Sequence, residues 1–83
     1  MFILSQNNMI LTKPENIKGE SITVWRDGDE DLVAFNIVNE TSGNRAYLLG
    51  TYDSEEEMAR IIAEIFNHIE LNKSYRMPTF LNN

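Results

Sequence analysis

Eighty-three residues without a cysteine allow one domain with a modest core and no disulfide to reinforce it. Thirteen acidic residues against seven basic ones leave a formal charge of −6, which repels phosphate backbones and argues against direct nucleic-acid binding. The partly apolar start is broken by Gln6, Asn7 and Asn8 and has neither a basic flank nor a small-residue cleavage site. Neither signal peptide nor membrane span is therefore expected, and the cytoplasm is the expected compartment.

Residues 2–5 and 9–12 read as two short strands joined at Gln6-Asn7-Asn8, because asparagine tolerates the positive φ of a tight hairpin. Lys13-Pro14-Glu15-Asn16 then interrupts the ladder, since proline has no N–H to give. Residues 20–26 form the next predicted strand, turned by Asp27-Gly28-Asp29-Glu30 into a strand over 32–39. Thr41-Ser42-Gly43-Asn44 turns the chain again into a strand over 45–52. Consecutive strands with short turns pair antiparallel, which makes the fold α+β: a curved meander of about five strands followed by one helix. No internal repeat or linker divides the chain, so residues 1–83 are expected to form one domain.

The helix is predicted over 54–71. Met58, Ile61, Ile62, Ile65, Phe66 and Ile69 recur as one apolar stripe. Ser54 and Glu57 have capping-box spacing, Asp53, Glu55 and Glu56 add negative charge at the positive end of the dipole, and Glu56 is placed to pair with Arg60. Burial of large apolar side chains, at about 1.5–3 kcal/mol each, outweighs these local terms. The helix must therefore pack on the strands before it.

Those strands are apolar on both faces. Val33, Phe35 and Ile37 oppose Leu32, Ala34 and Val38, and Tyr47 and Leu49 oppose Ala46 and Leu48. One helix covers one face, so either the sheet closes on itself or a second chain covers the rest. The extended tail over 75–81 poses the same choice, since it is too apolar to be a free solvent tail: it packs on its own domain or docks on a second copy.

Candidate chemistry is sparse. Asp27, Asp29 and Asp31 alternate as in a calcium loop, but the positions for its glycine and its bidentate glutamate hold Leu32 and Val38. His68 stands alone as a histidine, with Glu64 one turn upstream and no set of metal ligands or nucleophile beside it. Gly50-Thr51-Tyr52-Asp53 lacks the lysine and glycines of a phosphate loop. Trp25, Tyr47, Tyr52 and Tyr75 are not interleaved with basic residues as stacking platforms for single strands are. No catalytic residue, metal or cofactor is expected.

Met1-Phe2-Ile3-Leu4-Ser5-Gln6-Asn7, Leu49-Gly50-Thr51-Tyr52 ahead of an acid-started helix, and Tyr75-Arg76-Met77-Pro78 together resemble a group of small uncharacterised proteins of Gram-positive bacteria, their phages and mobile elements. The resemblance implies a cytoplasmic accessory protein and carries no activity or site residue. The strand order with a C-terminal helix is also similar to pleckstrin-homology-like folds, an analogy of fold and not of function. The expectation is a non-enzymatic interaction module, a homodimer or a binder of another protein, with Trp25, Leu32, Tyr47, Tyr75, Met77 and Phe80 as candidate contact residues. The alternative is an acidic inhibitor that imitates nucleic acid on a defence or DNA-processing enzyme.

Overall fold

A computed structural model describes residues 1–79, the side chains of Val24, Arg26 and residues 30–33 excepted. In chain order the elements are β1 (Ile3–Leu4), β2 (Leu11–Thr12), β3 (Ile17–Arg26), β4 (Asp29–Thr41), β5 (Arg45–Tyr52), α1 (Glu55–Glu70) and β6 (Tyr75–Arg76). The fold is α+β, a meander followed by a helix, as the pattern of strands and turns predicts. It comprises two sheets: β3-β4-β5, antiparallel throughout, and a small β2-β1-β6 sheet in which β6 runs parallel to β1.

The turns follow the local chemistry. Asn8, Asp27, Asn44 and Asn72 take positive φ (63°, 54°, 59° and 52°), and Gly28 takes 81°. Asp27 and Gly28 alone join Arg26 to Asp29, the two-residue loop in which both central residues are left-handed. Asp29 and Glu30 therefore belong to the ladder rather than to the predicted four-residue turn, and β4 is longer than its sequence pattern suggests. β3 likewise starts early, because the Asn16 carbonyl already accepts from the Glu40 N–H at 2.9 Å.

Ser54 caps α1, its hydroxyl accepting from the Glu57 N–H at 3.1 Å. The Glu57 carboxylate turns toward Arg60 (3.9 Å) instead of closing the box. Arg60 takes Glu64 as its main partner at 2.9 Å, not the predicted Glu56, so the acid-to-base pair runs in the reverse direction. Asn72 ends the helix in a Schellman motif, with Asn72 N–H on the Ile69 carbonyl and Lys73 N–H on that of His68.

Only part of the helical stripe reaches the core. Ile61 and Ile65 are buried and join Ile3, Ile37, Leu49, Tyr52, Tyr75 and Met77, with Met58 and Ile62 packed against this cluster. Phe66 and Ile69 stay exposed on the flank. Gly19 lies under α1, where an added Cβ would come within 2.6 Å of the Met58 sulfur and make that flexible side chain move aside. Gly50 gives room in the same way to the Tyr52 ring.

On the opposite face of β4, Val38 is nearly buried. It lies between Lys18 and Leu48 in register, alongside the Lys18–Glu40 ion pair (2.9 Å) and a Thr51–Asn36 hydrogen bond (2.7 Å). Among the described residues the sheet is open, with β3 and β5 at its edges, and this part of its second face carries paired polar side chains.

Two side-chain amides join the parts. Gln6 N–H donates to the Leu49 carbonyl, and its amide both accepts from the Thr51 N–H (2.9 Å) and donates to the Thr51 carbonyl (3.1 Å), extending the β5 edge as a strand residue would. Asn39 is fully buried and makes four bonds. Its Oδ1 accepts from the Glu15 and Asn16 N–H groups, and its Nδ2 donates to Thr12 Oγ1 and the Lys13 carbonyl. Asn39 thus makes four of the bonds that hold the proline-containing connection over 13–16, which Glu15 and Asn16 also tie to Ser42 and Glu40. Asn39→Asp keeps the acceptors but removes both donors. With an unsatisfied buried group costing about 1–3 kcal/mol, urea unfolding should show a larger loss for Asn39→Asp than the ~1 kcal/mol expected for Ser54→Ala.

Candidate interaction surface

β5 leaves the sheet where Tyr52 pairs with Phe35, so among the described residues β4 from Asp29 to Ala34 pairs with β3 alone. Residues 22–34 thus form a two-stranded ribbon with the Asp27-Gly28 turn at its tip. An isolated pair of strands is marginal in water and leaves main-chain groups free along both edges. The radius of gyration, 13.5 Å, exceeds the ~12 Å of a compact chain of this length, consistent with a projecting element. Trp25 on the ribbon is 66% exposed, and Ile22 is also exposed.

The residues expected to form one contact surface are divided by the fold. Trp25 and Leu32 both lie on the ribbon, on facing strands, although the Leu32 side chain is outside the described set. Tyr47 is half-buried on β5 opposite Asn39. Tyr75 and Met77 are buried in the chain's own core, so they do not offer a free surface. Phe80 lies outside the described residues. Through residue 77, then, the tail packs on its own domain, as one of the two expectations had it.

Tyr75 is held by a polar cluster along α1. Its hydroxyl donates to Glu64 Oε1 at 2.6 Å, and Glu64 Oε2 pairs with Arg60. The His68 ring packs edge-on against Tyr75 at 4.7 Å. Its Nδ1 lies 2.8 Å from the Glu64 carbonyl, which can only accept, so Nδ1 carries the proton. The Tyr52 hydroxyl similarly donates to the Pro78 carbonyl. Both phenols clamp the tail to the body. Burial pushes the Tyr52 pKa up to about 12, with Glu57 adding to the effect. Burial, then the hydrogen bond to Glu64, also raises that of Tyr75.

Two apolar depressions escape the sequence pattern. One, of about 310 Å³, lies between α1 and the 14–17 segment and is lined by Pro14, Glu15, Ile17, Ile62, Phe66 and Ile69, with Ile65 at its base. The other, about 400 Å³, is a trough on the β2-β1-β6 sheet. The alternation of Phe2 and Leu4 with buried Ile3 is its sequence signal, but the run is too short to stand out. Among the described residues no helix is long and apolar enough to cross a membrane. Comparison with protein-family models, curated proteins and solved structures finds no match.

The two phenols fix a pH dependence. A folded-state pKa raised above the ordinary value of 10 favours folding below that pH and is lost as pH rises through the folded value. Stability should stay level up to about pH 10 and fall above it. Tyrosinate absorbance followed together with circular dichroism checks this. Tyr52→Phe, though less stable at neutral pH, should show a shallower alkaline decline.

Proposed function

We propose that the protein is a non-enzymatic interaction module that associates with a second copy of itself through the β3–β4 ribbon. The observation that carries this is Trp25, the one tryptophan of the chain, two-thirds exposed on strands that have no further sheet neighbour among the described residues. A tryptophan left in water forgoes the largest apolar gain any side chain offers, and tryptophan is enriched where interfaces concentrate their energy. The ribbon's free edges give the same element main-chain groups for pairing. A chain of this size also gains from the added burial. The polar clusters support this reading too, because Asn39, Glu64, His68 and Tyr75 all act within the fold. Imitation of nucleic acid has less support, since Glu40 is paired with Lys18 and Glu64 with Arg60.

Trp25→Ala should weaken self-association at least about tenfold, measured by sedimentation equilibrium, one such factor being about 1.4 kcal/mol. Its urea stability should stay within about 0.5 kcal/mol of the parent, as for other exposed positions. Unchanged association would overturn the proposal.

A further inference from the structure

Resting on that reading, we infer that the ribbon tip of one copy seats in the trough on the β2-β1-β6 sheet of a second, and reciprocally, so that the dimer is built from two exchanged arms. The trough is lined by Phe2, Leu4, Leu11, Ser74, Tyr75 and Arg76. Register makes it: Leu4 pairs with Leu11 on one side and with Arg76 on the other, which sets an apolar floor beside a guanidinium. Phe2 and Leu11 are 41% and 65% exposed, and the Lys13 ammonium stands 5.7 Å from the centre of the Phe2 ring.

Lys18 and Arg60 are neutralised by glutamates, whereas Arg76 and Lys13 have no acidic partner among the described residues. In a chain of charge −6, a trough that combines bare apolar surface with unneutralised cations fits an occupant that is both apolar and acidic. The ribbon tip has that chemistry. Its sequence from Trp25 to Asp31 carries four acidic residues against one cation, Arg26, and Trp25 is exposed. The groove beside Phe66 is the poorer match, because its one charged lining residue is Glu15, which repels the tip. Reciprocal exchange makes the same contact twice about a two-fold axis and so closes without forming a fibre.

The test uses the full chain and its single tryptophan as reporter. On raising protein concentration, Trp25 emission should shift to the blue as the dimer forms, and the dimer should weaken with salt. Arg76→Glu should weaken association roughly tenfold or more, the scale of one interfacial charge pair. Pairing it with Asp29→Arg should restore association by exchanging the two charges. The two single variants Trp25→Ala and Arg76→Glu should associate with each other better than either does with itself, since the mixture keeps one intact arm facing one intact trough. Circular dichroism confirms that each variant is folded. If Arg76→Glu and Leu11→Asp both associate as the parent does while Trp25→Ala does not, the arm meets another surface, and this inference falls while the proposed function stands. If Trp25→Ala also associates as the parent does, or if the parent stays monomeric, both fall.

Discussion

The parallel pairing of β1 with β6 is the constraint on which the rest of the domain depends. Tyr75 N–H donates to the Phe2 carbonyl and Met77 N–H to that of Leu4, while Phe2 N–H reaches the Ser74 hydroxyl. These few bonds close a loop that contains nearly the whole chain, at an entropic cost that grows only slowly with its length. Burial of Ile3, Tyr75 and Met77 offsets that cost. The closure sets Tyr75 against Glu64 and His68, brings the Pro78 carbonyl to Tyr52, and lines up Leu11, Leu4 and Arg76 across three strands. Core, clamp and trough therefore share one origin.

The two sheets are held in place by side-chain amides as much as by apolar contact. Gln6 completes the β5 edge, and Asn39 completes the connection from β2 to β3. Apolar burial is non-directional and sets how much the domain gains by collapsing. Asn39, buried with all four of its amide bonds made, favours one collapsed arrangement, because each alternative leaves a donor or acceptor unpaired.

Features with a local cause were legible in the sequence. The period and cap of α1 lie within a single stretch, and residues that tolerate positive φ stand at each of the turns. What depended on distant pairing was not. The β1–β2 hairpin was legible from its asparagine turn, but two-residue strands have no period, so the closure of that sheet by β6 left no signal beyond the apolar character of the tail. The helical stripe promised six buried residues, but the sheet is only wide enough for its centre, and Phe66 and Ile69 remain outside. The candidate surface was legible in part for the same reason. Alternation identifies Trp25, Tyr75 and Met77 alike as apolar, yet only their place relative to β5 and α1 decides that the latter two are covered and Trp25 is not.

The ribbon's separation from the core has an evolutionary consequence. Beyond Phe35 its strands pair, among the described residues, only with each other, so substitutions there disturb the fold less than substitutions in the core. Residues in the core, the clamp and the amide joints have no such freedom. If the ribbon is the contact element proposed above, charge or ring at its tip can change while the body that displays the tip stays as it is. Lineages of this chain should therefore vary more at the exposed ribbon positions that flank Trp25 than around Asn39.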